Sequence, residues 1–276
     1  MTFSSDCGRP LVSLSSDFGI QSEGVGIMKG VVLSLCPSAN VIDLTHGIES
    51  FSLIDAAREM ETVSYLPSGI HVCVVDPGVG TKRHALVIEA VRGDFLIGPD
   101  NGVLVPAMTM LGGIKSAWVI RSTGFINIQN SRTFGGRDIF SRAAGWLALG
   151  RSCADLASEI PCEQLHKAPY DEAELCDGTL RAKVIHINKF GSAILNIRES
   201  RLDDIGVVEG KSFSIEFESE NPLTIERVRS FAATEIGKSI LVPDDYGRVE
   251  LAINQGNFAS THGLSLGTEL LLHFKV

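Results

Sequence analysis

A carboxylate and a guanidinium share one glycine-rich turn in the first half of the chain. Asp76 follows a strand predicted over 70–73, and the turn after it contains Gly78, Gly80 and the cation Arg83. Glycine permits positive φ and lets a ligand approach the backbone closely, and open α/β sheets bind ligands at the carboxyl ends of their strands. The turn therefore predicts a ligand site, with a tight turn, a capping aspartate and a solvated basic pair as the alternative.

Asp17 occupies the same kind of position earlier in the chain. It follows a strand predicted over 11–15 and precedes a helix predicted over 25–35. Aspartate in this position is often only the N-cap of the next helix. Two strand-end carboxylates in one sheet nevertheless favour a ligand-binding edge.

His46 and the turn 100–102 also follow predicted strands. His46 could act as a base, but a loop histidine without an evident orienting partner more often has a structural role. Turn chemistry is an adequate explanation of 100–102 by itself. Its place after a buried strand makes Asn101 a candidate wall of the same site.

Gly135 and Gly136 directly precede a helix that is predicted to run to about residue 147. Paired glycines at a helix N-terminus can admit an anion or a polar ligand. Arg137 and Asp138 could instead form only a local ion pair at the helix start.

The first half of the chain predicts an α/β domain with a largely parallel sheet. Apolar runs of strand length alternate with amphipathic helices, which implies right-handed crossovers. The predicted strands are 11–15, 40–44, 70–73, 85–88, 94–98 and 117–120, and the predicted helices are 25–35, 52–65 and the one leading to 147.

The second half changes to short alternating runs separated by turn residues, which is typical of a small all-β barrel or sandwich. The predicted strands are 178–187, 212–217, 239–243, 248–253 and 269–274. We therefore predict an α/β domain over 1–157, a linker over 158–176 and a β-barrel domain over 177–276.

Composition excludes several classes of function. The chain has 276 residues, 44% of them hydrophobic, and a net charge of −9, which argues against a nucleic-acid-binding surface. No apolar run has the length of a membrane span, and the first residues, up to Cys7, lack the features of a signal peptide. Six scattered cysteines without a C-x-x-C pair indicate reduced thiols in a cytoplasmic protein. No metal-ligand spacing is present, so we expect no metal and no cofactor.

Taken together, the motifs resemble the S-adenosyl-L-methionine hydroxide adenosyltransferase family, which is related to the fluorinase and chlorinase enzymes. The resemblance runs nearly end to end. Its motifs are Ser16-Asp17-Phe18-Gly19, Gly26-x-Met28-Lys29-Gly30, Val75-Asp76-Pro77-Gly78-Val79-Gly80, Gly98-Pro99-Asp100-Asn101-Gly102, Gly136-Arg137-Asp138-Ile139-Phe140, Phe190-Gly191 and Asn254-x-Gly256-Asn257.

This resemblance implies a homotrimer whose nucleoside sites lie between the α/β domain of one subunit and the barrel of its neighbour. It implies that water attacks ribose C5′ of S-adenosylmethionine, releasing adenosine and methionine. Asp76 and Arg83 match the family's acid and arginine, and Asp17 matches the carboxylate that binds the ribose hydroxyls. The other residues that the resemblance places around the substrate are Phe51, Asn101, Gly135, Gly136, Asn188, Phe190, Ser192, Phe231 and Asp245.

Several positions depart from the family pattern. Gly135 replaces the family's histidine, and Asp244 and Asp245 replace an Asn-Ser pair that contacts the methionine end of the substrate. The other departures are Ser22, Gly24, Asn188 and Ser192. These leave two alternatives open: a non-catalytic or very slow nucleoside-binding protein, or cleavage of a different adenosyl compound. Halide transfer is not expected, because a carboxylate at Asp76 beside a halide is electrostatically unfavourable.

Overall fold

The computed structural model describes residues 9–126, 128, 131, 133–217 and 222–274. They divide into two compact units, one ending at Pro169 and the other beginning at Tyr170, a boundary that falls within the predicted linker. The expectations for Cys7 and the N-terminal residues lie outside the described part. Within it, helices with the length and apolar character needed to cross a membrane are absent.

The first unit is an α/β domain. Its described strands are β1 (Leu11–Ser16), β2 (Asn40–Thr45), β3 (Ile70–Val74), β4 (Ala85–Ala90), β5 (Phe95–Pro99), β6 (Ile114–Ile120) and β7 (Ala157–Ile160). Its described α-helices are α1 (Glu23–Leu35), α2 (Leu53–Glu61), α3 (Val105–Met110) and α4 (Ser141–Ala148), and a π-helical turn (Gly136–Phe140) leads into α4.

The strands form one sheet in the order β2-β1-β3-β5-β4-β6-β7. Strands β2, β1, β3 and β5 are parallel, whereas β4, β6 and β7 extend the sheet in antiparallel fashion. In the β1–β3 register Ser16 pairs with Val74, so Asp17 and Asp76 both leave the sheet at the same edge. The predicted α/β class is confirmed, and the parallel half of the sheet positions the site.

Helix α1 begins at a side-chain cap that is not Asp17. The Ser22 hydroxyl accepts a hydrogen bond from the Gly24 amide, and Ser22 has the extended backbone of an N-cap residue. The helix ends at Leu35, just before Cys36 and Pro37, because proline cannot continue it. The capping explanation of Asp17 is therefore wrong, and its carboxylate is available for another role.

Both faces of the sheet are buried, which explains the uninterrupted apolar runs. On β3, Val72 packs into the core that includes α1 and α4, whereas Cys73 packs into the core that includes α2 and α3. Successive residues of a strand point to opposite faces, so a strand covered on both sides is apolar at most of its successive positions. Cys36, Cys73, Cys153, Cys162 and Cys176 are free, as predicted for reduced thiols.

The second unit is a β-barrel. Its described strands are β8 (Glu174–Cys176), β9 (Thr179–Ile187), β10 (Ala193–Arg198), β11 (Ser212–Glu216), β12 (Leu223–Arg227), β13 (Ser239–Pro243), β14 (Arg248–Ile253) and β15 (Glu269–His273), and its described α-helices are α5 (Glu199–Asp204) and α6 (Phe258–Thr261). The order β10-β14-β13-β12-β11-β15-β9 closes through a β9–β10 pairing, and β8 is added outside the ring on β9. The predicted small barrel is confirmed.

A buried polar network stabilises the end of the sheet away from the site. Asp94 accepts two hydrogen bonds from the Arg92 guanidinium, at 2.7 and 2.8 Å, and one from the Gly69 amide. Its Oδ1 also lies 3.1 Å from His71 Nε2, and His71 Nδ1 lies 2.7 Å from Ser13 Oγ. Burial raises the pKa of Asp94, but the hydrogen bonds from Arg92, His71 and Gly69 outweigh it and hold this pKa well below its usual range.

We expect Asp94→Asn to lower the free energy of unfolding of the first unit by about 2–4 kcal/mol at pH 7, because it removes a buried charge with several donors. The native pKa lies below the unfolded one, so this stabilisation is complete above about pH 4 and is lost as the pH falls further. Both tryptophans, Trp118 and Trp146, lie in the first unit, so urea unfolding followed by their fluorescence reports it.

The control for Asp94→Asn is Lys115→Gln, which removes a surface ion pair with Glu89. The Lys115 side chain is 55% exposed, and such pairs contribute about 0–1 kcal/mol. Equal losses in the two variants, or an Asp94→Asn loss that is unchanged at pH 3, would contradict the prediction.

Candidate functional site

A cavity of about 250 Å³ lies at the carboxyl edge of the parallel strands, and we call it the Asp76 cavity. Its wall comes from the turns after β1, β2 and β3 and from the segment before the π-helical turn. The lining residues are Asp17, Phe18, Ser50, Phe51, Val74, Asp76, Val79, Thr133, Phe134, Gly135 and Gly136.

Asp76, in the wall of this cavity, forms an ion pair with Arg83. Arg83 Nε donates to both Asp76 oxygens at 2.9 Å, and Nη2 donates to Oδ2. The Asp76 side chain is only 7% exposed, and the guanidinium also stacks over the Phe140 ring at 5.3 Å. Arg83 is therefore not a solvated surface charge, whereas Lys82, the other member of the basic pair, is exposed. Arg83 fixes the orientation of a carboxylate that faces a cavity.

Asp17 reaches the same cavity from the turn after β1. Its Oδ2 accepts a hydrogen bond of 3.0 Å from the Phe51 amide. Phe51 has φ of 64°, which is uncommon for a non-glycine residue, and the residue is 72% exposed beside the cavity. The turn after β2 thus supplies an aromatic wall and a donor that holds Asp17.

His46 does have orienting partners, contrary to the expectation from the sequence. Its Nε2 lies 3.0 Å from Asp43 Oδ1, and its Nδ1 lies 2.7 Å from Ser16 Oγ. His46 is buried and does not line the Asp76 cavity. Direct proton transfer with a ligand in the cavity is therefore not supported, whereas the structural role is.

Gly135 and Gly136 line the cavity where the chain enters the π-helical turn. A Cβ at Gly136 would lie 2.9 Å from Met28 Sδ and 3.0 Å from the Phe134 ring, so a larger residue would displace these side chains. Arg137 and Asp138 form the predicted local ion pair, with Nε to Oδ1 at 2.6 Å. This pair does not line the cavity.

Asn101 supports the site from behind rather than lining it. Its amide nitrogen donates to the Val75 carbonyl at 3.0 Å, directly before Asp76. Cys73, on the strand that leads to Asp76, is fully buried and does not line the cavity, and burial raises the pKa of its thiol to about 12.

The barrel contains a second cavity, of about 820 Å³, which we call the barrel cavity. It is lined by Asn188, Phe190, Ser192, Phe231, Pro243, Asp244, Asp245, Glu250, Ile253, Asn254, Gln255, Gly256 and Asn257. Every candidate that the sequence placed in the second half of the chain therefore lies in this one cavity.

Asn188 organises the loop that presents Phe190. Its Oδ1 accepts hydrogen bonds from the Phe190 and Ser192 amides at 3.0 and 3.1 Å. Gly191 has φ of 82°, and a Cβ there would lie 2.1 Å from Asn257 Cγ, so only glycine fits. Phe190 as a residue is 77% exposed at the cavity, which suits stacking on a planar ligand.

The charged groups of the barrel cavity are all acidic. Asp244 is occupied in its own turn, where Oδ1 accepts from the Tyr246 and Arg248 amides. Glu250 is buried and accepts from Asn188 Nδ2 at 3.3 Å, whereas Asp245 is exposed. In the described part of the chain, no lysine, arginine or histidine lines either cavity.

Several lining residues were not predicted as site residues. Phe18 and Phe134, whose rings meet edge to face at 5.7 Å, flank predicted residues in the sequence, and this adjacency was the available signal. Asn254 donates to the Phe231 and Thr234 carbonyls and so holds Phe231 in place. Glu250 gives no sequence signal, because an acid within an alternating strand looks like an outward-facing residue.

Two family models match the chain. The "SAM hydroxide adenosyltransferase N-terminal domain" matches residues 12–157, and the corresponding C-terminal domain matches residues 182–271. The "(R)-S-adenosyl-L-methionine hydrolase" of Salinispora tropica is 32% identical over 95% of this chain and 97% of its own length. The enzyme of the same name from Thermus thermophilus is 30% identical over 96% and 99%. The fluorinase of Nocardia brasiliensis is 24% identical over 94% and 95%.

Solved structures have the same fold. An uncharacterised conserved protein from Thermotoga maritima superposes with a TM-score of 0.87 at 24% identity, over 95% of this chain and 100% of its own. A conserved hypothetical protein from Thermus thermophilus superposes with a TM-score of 0.75 at 29% identity, over 96% and 99%.

Proposed function

The chain belongs to the S-adenosyl-L-methionine hydroxide adenosyltransferase family. We therefore propose that S-adenosylmethionine is hydrolysed in the Asp76 cavity. The protein is an enzyme that converts S-adenosyl-L-methionine and water to adenosine and L-methionine. The observation that carries this function is the oriented Asp76–Arg83 pair, which faces the same small cavity as Asp17. The names of the relatives specify the (R) epimer at sulfur, and we propose the same epimer here.

In this proposal Asp76 accepts a proton from water as the water oxygen attacks ribose C5′. The C5′–O bond forms while the C5′–S bond breaks, and its electron pair stays on sulfur. The sulfonium leaves as the neutral thioether of methionine and needs no protonation. The protein therefore has to orient and desolvate a small nucleophile, which suits a buried carboxylate held by a guanidinium.

Asp17 binds the ribose diol in the same proposal. One of its oxygens accepts from the Phe51 amide, and an ionised carboxylate has about four acceptor positions, so acceptors remain for both hydroxyls. Phe51 packs against the nucleoside, and Asn101 holds the backbone before Asp76. In the barrel cavity, Phe190 and Phe231 stack on the adenine. Asn188, Ser192 and Asp245 form the polar wall of the barrel cavity.

A second candidate substrate follows from the charge of the two cavities. Methionine carries a carboxylate, and no cationic side chain in the described lining of either cavity would pair with it. Asp245 and Glu250 would instead attract the ammonium and the sulfonium. An adenosyl sulfonium whose tail ends in an amine without a carboxylate fits this lining, so we propose it as the alternative substrate class.

The assembly proposed here is a homotrimer that works in the cytoplasm. An exposed aromatic side chain beside a cavity can stack on a ligand or pack against a partner. Phe51 in the first unit and Phe190 in the second are exposed at their respective cavities, which supports sites completed by neighbouring subunits.

The test is a product assay on the purified full chain with three substrates: the (S) and (R) epimers of S-adenosyl-L-methionine and the carboxylate-free amine analogue. We expect adenosine and methionine from the (R) epimer, at a rate independent of added chloride. Faster turnover of the amine analogue would favour the second candidate. Binding of adenosine without turnover of any of the three would contradict hydrolysis.

A further inference from the structure

A chain of four side chains runs from the surface to the turn that holds Asp17. Lys29 Nζ donates to Asp43 Oδ2 at 2.6 Å, and Asp43 Oδ1 lies 3.0 Å from His46 Nε2. His46 Nδ1 lies 2.7 Å from Ser16 Oγ. Ser16 and His46 are buried, so the chain ends inside the protein, one residue before Asp17. The proposed chemistry uses none of these four residues.

The partners of His46 favour one direction for each hydrogen bond in this chain. Burial raises the pKa of Asp43, but hydrogen bonds from Lys29 and His46 outweigh it and hold this pKa below its ordinary value. An ionised carboxylate only accepts, so in a neutral His46 ring the proton lies on Nε2. Nδ1 then accepts from the Ser16 hydroxyl, whose oxygen accepts from the Phe18 amide at 3.3 Å.

We propose that His46 is a positioning residue for ribose recognition, acting through Ser16 to hold the turn that presents Asp17 to the substrate. This inference rests on the proposed function, in which Asp17 binds the ribose diol. His46 touches neither substrate nor cavity and acts only through the turn. The orientation of the Asp17 carboxylate, rather than the chemical step, is what depends on it.

Two further contacts hold the same turn without the imidazole. The Gly19 amide donates to the backbone carbonyl of His46 at 2.8 Å, and the Phe51 amide donates to Asp17 Oδ2 at 3.0 Å. Substitution of the His46 side chain removes one restraint and leaves these two. We therefore expect a less well oriented carboxylate in a turn that is still formed.

The protein contains its own matched control. Ser13, His71 and Asp94 form a second buried serine–histidine–aspartate chain on the same sheet, with the same 2.7 Å contact between Oγ and Nδ1. None of its members lines the Asp76 cavity. Loss of His71 is therefore expected to affect stability without affecting ribose recognition.

The experiment measures calorimetric binding of adenosine and 2′-deoxyadenosine to the full chain. The parent should prefer adenosine by about tenfold or more, because a hydrogen bond to a charged group is lost with the 2′-hydroxyl. His46→Ala and Ser16→Ala should each reduce this preference to about threefold or less. His46→Asn, whose amide oxygen can accept from Ser16 in place of Nδ1, should keep more of the preference than His46→Ala. His71→Asn should keep all of it.

Ser16→Ala is the smallest change and decides the question if His46→Ala does not fold. An unchanged tenfold preference in folded Ser16→Ala or His46→Ala protein would overturn the positioning role. A parent that hydrolyses S-adenosylmethionine but shows no preference would also overturn it, through Asp17, and would leave the reaction intact. Failure of hydrolysis is read separately, from the product assay.

Discussion

Asp76→Asn is expected to lower kcat for S-adenosylmethionine hydrolysis by about 10²–10⁴-fold, the usual effect of removing a general base. Asparagine has nearly the same shape as aspartate but carries no charge and cannot take a proton from water. Both Asp76 oxygens accept from Arg83, so the variant also places an amide against a guanidinium that has lost its counter-charge. Release of adenosine, separated by chromatography at saturating substrate, measures the loss.

The matched control for Asp76→Asn is a substitution at Asp138, two residues after Gly136, which lines the cavity. Asp138→Asn makes the same chemical change in another Arg–Asp pair, which does not line the Asp76 cavity. We expect Asp138→Asn to keep kcat within about threefold of the parent, because exposed ion pairs contribute little. If the Asp76→Asn variant unfolds like the parent in urea and keeps a third of the parent's kcat, Asp76 is not the base.

The strand-end positions of the site could be predicted because they follow from periodicity alone. Apolar runs define β1 and β3, and parallel strands expose their carboxyl ends at one edge, so Asp17 and Asp76 had to lie close together. The antiparallel half of the sheet was not predicted. The connection 91–94 between β4 and β5 is too short for a parallel crossover, which was the available signal.

The supporting contacts could not be predicted, because they join residues from different elements. His46 meets Ser16 only because β1 and β2 are neighbours in the sheet, and the sequence separation of 30 residues gives no sign of it. Three barrel strands, β8, β10 and β12, were not predicted. Strand β10 is buried along nearly its whole length, so it lacks the alternation that identifies a half-buried strand. Glu250 lies on the face of β14 opposite the core residues Val249 and Leu251, so alternation identifies its face but gives no sign that it is buried.

Gly135→His is expected to raise kcat by about 10²-fold, at the low end of the usual contribution of a general base. Gly135 has helical backbone angles that any residue can adopt. A Cβ there would lie 3.4 Å from Arg83 Nη2 and 3.3 Å from the Phe140 ring, so the ring must move by only a few tenths of an ångström. The imidazole would then enter the cavity beside the Asp76–Arg83 pair, where the family resemblance places a histidine.

The pH dependence separates an added base from a change in packing. An added imidazole should make kcat rise through about pH 6.5 as it loses its proton, a transition that the parent lacks. Gly135→Ala adds the Cβ alone, and Gly135→Gln adds a hydrogen-bonding group that does not titrate. An equal gain in Gly135→Ala would assign the effect to packing against Phe140 and Arg83. No gain in a folded Gly135→His variant would mean that Asp76 and Arg83 activate water in this enzyme without an imidazole.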